Sequence, residues 1–143
     1  DARKRAMGRK VIKAMGGDVR GKTVGILGLT FKPNTDDMRD APSLSIIAAL
    51  QDAGAKVKAY DPEGFEQARP LLPGVTFSDS AYDAADGADA LVIVTEWDAF
   101  RALDLSRLKE LLNAPLLVDL RNIYPPADAK RAGLNLVSIG KPN

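Results

Sequence analysis

The chain has 143 residues, is 45% hydrophobic and 27% charged, and carries a net charge of +1, the make-up of an ordinary globular domain large enough to bury its own core. That balance gives no electrostatic reason for a nucleic acid or an anionic membrane as partner, and no apolar run approaches the roughly 18 residues that a membrane span needs. With no Cys and no His, disulfides, a thiolate nucleophile, the usual zinc sites and the commonest general base near neutral pH are excluded.

Residues 1–15 read as a helix. Met7, Val11, Ala14 and Met15 share one face, while Arg3, Lys4, Arg5, Arg9, Lys10 and Lys13 occupy much of the rest. The basic face reads as solvated surface, and Gly16-Gly17 stops the helix. The start has neither an initiator Met nor a signal-peptide apolar core, which suggests a piece of a longer protein. Gly16 to Gly21 is linker-like, so the expected division is 1–17, the end of a helix from a preceding domain, and 18–143, a sheet domain.

After that the pattern alternates. Strands are expected at Thr23 to Leu29, Val57 to Tyr60, Val75 to Phe77, Ala90 to Thr95, Leu116 to Leu120 and Leu136 to Ile139. Helices are expected at Ser43 to Ala53, Phe65 to Leu72, Tyr82 to Ala85, Leu105 to Leu112 and Pro126 to Ala132, with Asp98 and Asp104 as N-caps. Strands and helices in turn predict an α/β fold, a Rossmann-like, mostly parallel sheet with helices on both faces.

The most informative stretch runs from Gly25 to Ser43. An apolar strand enters a polar loop carrying Lys32 and Arg39 and then a helix start. Two cations and several backbone N–H groups at the carboxyl end of a strand would suit a diphosphate. Gly25-x-x-Gly28 does not match the three-glycine dinucleotide fingerprint, since Thr30 and Pro33 stand where further glycines would be wanted. The better reading is a Rossmann-like domain that does not bind NAD in the usual crevice. The loop from Thr30 to Ala41 exceeds the about two to six residues of a common βα connection, and long loops at strand ends are often functional.

Each candidate has two readings. Lys32 is a point charge suited to a phosphate or a hydroxyl, and Arg39 is a planar fork suited to phosphate. Arg39 could instead pair with Asp36, Asp37 or Asp40 and hold the loop shut. Asp61, followed by Pro62, reads as a turn residue rather than a ribose-binding acid. Trp97 could stack on a ring or simply pack. Arg121 follows Leu117-Val118-Asp119-Leu120, on the same sheet edge as Lys32, or it pairs with Asp119 or Asp128. Tyr124 is a less specific candidate.

Four segments together resemble the C-terminal, UDP-binding domain of the UDP-glucose 6-dehydrogenase family: residues 28–43 (GLTFKPNTDDMRDAPS), 60–62 (YDP), 94–97 (VTEW) and 118–124 (VDLRNIY). The Thr95-Glu96-Trp97 segment, with Phe100 and Leu103, resembles the UDP-glucose branch rather than the GDP-mannose branch. The resemblance implies a parent enzyme, cytoplasmic and a homo-oligomer, that oxidises UDP-glucose to UDP-glucuronate with two NAD+ in nucleotide-sugar metabolism for polysaccharide biosynthesis. It implies that residues 1–15 end a central helix and that NAD is held mainly by an N-terminal domain. The family's nucleophilic Cys, catalytic Lys and assisting Asp lie before this region, so the chain by itself is expected to be inactive and to contain no catalytic residue.

By position in the shared motifs, Phe31 and Lys32 correspond to the family's substrate-binding pair. Arg121 corresponds to a substrate-contacting arginine, and Arg39 to one that reaches the NAD phosphates across the cleft. One departure is Leu120, where many relatives carry Gly. Two other readings stand beside this one: a domain of a dehydrogenase acting on a UDP-N-acetylhexosamine or GDP-mannose, and a stand-alone nucleotide-binding module.

Overall fold

Alternation along the central strands supplies two hydrophobic faces, and this sets the architecture. The computed structural model describes residues 2–30, 32–39 and 41–138. Phe31, Asp40 and Ile139, and the side chains of Arg3, Lys4 and Arg5, fall outside what is described. Six strands, β1 (Thr23–Leu27), β2 (Lys56–Tyr60), β3 (Thr76–Phe77), β4 (Ala90–Ile93), β5 (Leu116–Asp119) and β6 (Asn135–Ser138), form one sheet in the order β3-β2-β1-β4-β5-β6. Every neighbouring pair is parallel, with Val24 facing Val57 on one side and Ala90 on the other. This is the doubly wound order whose direction reverses between β1 and β4.

On one face, Val24 and Ile26 of β1, Val92 of β4 and Val118 of β5 join Ile46, Ile47 and Leu50 in one buried cluster. On the other, Leu27, Leu91, Ile93 and Leu117 join Phe100 and Leu108. The residues alternate between faces because side chains on a strand alternate. The first face is covered by α1 (Ala2–Ala14) and α2 (Pro42–Asp52), which pack together where Gly8 meets Ala49. A Cβ at Gly8 would lie 2.6 Å from that of Ala49, so the bare glycine permits the approach. Val11, Met15 and Val19 are buried in the same cluster, so the helix and the connection after it share the sheet's core.

The remaining helices are α3 (Phe65–Ala68), α4 (Ala81–Ala85), α5 (Asp98–Arg101), α6 (Leu105–Leu111) and α7 (Pro126–Arg131). Several boundaries differ from the sequence expectation for local reasons. The helix expected to reach Leu72 becomes a 3-10 turn at Arg69–Leu71, because Pro70 lacks the N–H that an α-helix needs. The first strand ends at Leu27 because Gly28 turns away at φ +94. Asp104 caps α6 through bonds from the N–H groups of Ser106 and Arg107. Asp98 is no N-cap: Trp97 holds that position without a side-chain bond, and Asp98 opens the helix and pairs with Arg101 at 2.8 Å.

Among the described residues, no helix is long and apolar enough to cross a membrane.

Candidate functional site at the carboxyl edge of the sheet

Three neighbouring strands, β1, β4 and β5, deliver charged residues to one edge: Lys32 after β1, Glu96 after β4 and Arg121 after β5. Adjacent strands lie about 4.8 Å apart, so the chain positions carrying the two cations start roughly 10 Å apart with the β4 end between them. Lys32 is exposed, and its ammonium makes no hydrogen bond or ion pair among the described residues. Phe31, its expected companion, lies outside the described residues.

The base of the Lys32 loop is held by buried polar side chains. The Asp61 carboxylate, on a residue only 5% exposed, accepts the backbone N–H groups of Leu29 at 2.6 Å and Thr30 at 3.1 Å. Its other oxygen accepts from Glu63 at 2.8 Å and Gly64 at 2.6 Å. Asp61 is thus a turn residue, as expected, and also a tie between two strand ends. From the other side the Thr95 hydroxyl donates to the Thr30 carbonyl at 2.8 Å, and the Thr30 hydroxyl donates to the Lys32 carbonyl at 2.9 Å. Ser43 completes the frame by donating to the Leu29 carbonyl at 2.6 Å.

This arrangement corrects one expectation. The N–H groups of Leu29 and Thr30 already serve Asp61, so they do not face a diphosphate. Gly28 also sits against Thr95, where a Cβ would lie 2.5 Å from the threonine Cβ. Two of the N–H groups that a dinucleotide's pyrophosphate would meet at this strand end are thus taken by the protein's own carboxylate.

Arg39 stands on a separate part of the loop. Its backbone N–H, Nε and Nη2 all donate to the Asp37 carboxylate, at 2.9, 3.0 and 3.0 Å, while its side chain is 89% exposed. The side-chain and backbone hydrogen bonds from Arg39, helped by its charge and that of Lys32, hold the Asp37 carboxyl down to about 2. Of the three acids considered for Arg39, Asp37 is therefore a partner, Asp40 lying outside the described residues. Thr35, Met38 and Arg39 share a depression of about 600 Å³ with Gln67 and Leu71, beyond β2. The described ion pairs set Arg39 against Asp37 and Arg121 against Glu96.

Arg121 is also placed by local bonds. Buried Asp119 accepts its backbone N–H at 3.1 Å and that of Tyr124 at 3.0 Å, and Asn122 at φ 58 turns the chain between them. The Arg121 side chain pairs through Nε with Glu96. Neither ion pair considered from the sequence forms: Asp119 serves the backbone, and Asp128 pairs with Arg131. Sequence reasoning thus missed Glu96, Asp61 and Thr95 as members of the site. The signals were their position, a polar residue at the end of an apolar strand, and their place in the segments 60–62 and 94–97.

Trp97 and Tyr124 are packing residues. Trp97 is 7% exposed within the second core cluster. Tyr124 is buried and donates its hydroxyl to the Phe100 carbonyl, and burial raises its phenol above the usual tyrosine range. Among the described residues no group of three or more His, Cys, Asp or Glu could hold a metal ion.

Residues 25–126 match the model of the UDP-glucose/GDP-mannose dehydrogenase family, UDP binding domain. The chain is 59% identical over 143 residues to the UDP-glucose 6-dehydrogenase of Rhizobium meliloti (strain 1021), covering 100% of this chain and 33% of that protein. It superposes on a UDP-glucose dehydrogenase from the hyperthermophilic archaeon Pyrobaculum islandicum with a TM-score of 0.77 at 28% identity, over 97% of this chain and 29% of the other. An NDP-N-acetyl-D-galactosaminuronic acid dehydrogenase from Methanosarcina mazei Go1 gives a TM-score of 0.79 at 26% identity, over 98% and 29%. The chain spans about a third of the length of the curated relatives it matches.

Proposed function

The chain belongs to the UDP-glucose/GDP-mannose dehydrogenase family as its UDP binding domain, and from that premise we propose that it clamps the uridine diphosphate end of UDP-glucose in a UDP-glucose 6-dehydrogenase. That enzyme would oxidise UDP-glucose to UDP-glucuronate with two NAD+, in the cytoplasm and as a homo-oligomer. In this reading residues 1–17 end a central helix and 18–143 form the UDP-binding domain.

The observation that carries the reading is the placement of Lys32 and Arg121 at the ends of β1 and β5, where an open α/β sheet receives ligands. Lys32 and Arg121, with Phe31 beside Lys32, would hold the UDP moiety. An ammonium with no hydrogen bond or ion pair among the described residues, and a guanidinium whose two Nη nitrogens have none there either, are what a diphosphate needs. The role is positional. Binding energy at the non-reacting diphosphate would hold C6 of the sugar where residues of the rest of the enzyme act on it.

The chain's own strand-end crevice does not fit NAD, because Asp61 and Thr95 occupy its N–H groups and its approach. The dinucleotide would be held by another domain of the same protein, with Arg39 reaching its phosphates from the exposed side of the loop. Hydride acceptance is the chemistry that NAD would supply there. Lacking any Cys, the chain alone is expected to produce no NADH from UDP-glucose and NAD+.

In the full-length enzyme, Lys32→Ala should raise the KM for UDP-glucose roughly ten- to a hundredfold, the loss expected for a charge-assisted contact of about 1.5–3 kcal/mol. An unchanged KM would remove Lys32 from the substrate site. The M. mazei neighbour keeps a second reading in view, a dehydrogenase of an N-acetylhexosamine nucleotide. Comparing kcat/KM for UDP-glucose and UDP-N-acetylhexosamines decides between them.

A further inference from the structure

We propose that Glu96 is a positioning residue for Arg121: it takes the Nε edge of the guanidinium and so aims the two Nη nitrogens at the nucleotide diphosphate. The inference rests on the UDP-binding reading above and assigns a role to a residue which that reading leaves idle.

Glu96 follows β4 and Arg121 follows β5, and these strands are direct neighbours, Ile93 standing opposite Asp119. Both ends of the pair are fixed. The Arg121 backbone is held by fully buried Asp119. Glu96 is flanked by the Trp97 N–H bonding to the Thr95 carbonyl at 3.0 Å, and its own carbonyl accepts from Arg101 at 3.4 Å. Between these supports the Glu96 carboxylate accepts the Arg121 Nε–H. Nη1 and Nη2 of Arg121 have no protein partner among the described residues, and the side chain is 46% exposed against 25% for Glu96.

A guanidinium presents two hydrogen-bonding edges, one through Nε and one through the Nη pair. Engaging the first fixes the rotamer of a long side chain and leaves the second as a fork for a phosphate. Restricting that freedom before the ligand arrives favours binding. The carboxylate has an opposing effect, since Glu96 follows the strand between those that lead to Lys32 and Arg121, and its charge repels an anionic ligand. Orientation and repulsion therefore predict opposite signs for removal of Glu96, which makes the proposal decidable.

The experiment is UDP binding to the full-length protein by calorimetry, with thermal unfolding of each variant in parallel. Glu96→Ala should weaken UDP about fivefold or more through lost preorganisation. Glu96→Gln, whose amide oxygen still accepts from Nε, should stay within about twofold of the parent. In an Arg121→Ala background Glu96→Ala should add nothing, because a residue acting only through Arg121 is silent without it. Tighter or unchanged binding in Glu96→Ala would overturn the proposal. So would a Gln variant as weak as Ala, or an Ala effect that persists without Arg121. A parent protein that does not bind UDP would overturn the UDP-binding reading itself, an outcome distinct from a parent that binds and is indifferent to Glu96.

Discussion

The Asp61 carboxylate accepts the backbone N–H of Leu29 at 2.6 Å across 32 residues of sequence. It ties the end of β2 to the first residues of the Lys32 loop. The same oxygen also accepts from Thr30, and its neighbour holds the turn at Glu63 and Gly64. A side chain thus stands where an open dinucleotide fold would offer N–H groups to a phosphate. The fold keeps the shape of a dinucleotide-binding domain while its loop is anchored as a platform for Lys32.

Removing that anchor should be costly. Asp61→Ala leaves the buried N–H groups of Leu29 and Gly64 without their acceptor, and each orphaned group costs about 1–3 kcal/mol. A loss of about 3 kcal/mol or more in urea unfolding of the chain is expected. A change below about 1 kcal/mol would mean that water or a neighbouring oxygen replaces the carboxylate.

Gly28 should tolerate no side chain. It has φ +94 and its added Cβ would meet the Thr95 Cβ at 2.5 Å and the Thr95 backbone nitrogen at 2.6 Å. Gly87 is the internal control, at φ +75 with nothing within 4 Å. Gly87→Ala should show only the conformational penalty, about 1 kcal/mol, whereas Gly28→Ala adds overpacking for about 2–4 kcal/mol in total. Equal losses at the two sites would show that the contact with Thr95 relaxes freely.

The loop should also report on acid. Hydrogen bonds from Arg39 hold the Asp37 carboxyl at about 2 in the folded protein, below the unfolded value of about 3.9. A depressed folded value means that the unfolded chain takes up the proton more readily. The contribution of this pair to stability is therefore complete above about pH 4 and disappears as the pH falls through about 2. Carboxyl carbon NMR should place the Asp37 midpoint near 2, and Arg39→Ala should return it towards the ordinary carboxylate value. A midpoint indifferent to Arg39 would contradict the assignment.

Much of the architecture could be read from the sequence because its cause is local. All six strands lie where short apolar runs end in Gly, Asp or polar residues, and each run alternates between the two faces once the sheet forms. The misplaced ends have equally local causes, Pro70 in the third helix and the left-handed Gly28 after the first strand. The site was legible only in part. Lys32 and Arg121 could be placed at strand ends, but their supports depend on which strands lie side by side. Arg121 meets Glu96 across 25 residues because β4 and β5 are neighbours, and Asp61 meets Leu29 because β1 and β2 are. Periodicity does not carry strand order, so the nearer Asp119 and Asp128 looked like the natural partners of Arg121.

The most direct measurement of the central claim is a titration of the ¹⁵N-labelled chain with UDP, GDP and NAD+ in parallel. Half of a cleft should bind weakly, with Kd near about 1 mM, or about 4 kcal/mol. The account predicts saturable amide shifts with UDP at Phe31, Lys32 and Arg121, larger than those with GDP or NAD+. Shifts that are absent with UDP, or that are larger with NAD+ and fall around Gly28 and Asp61, would contradict it.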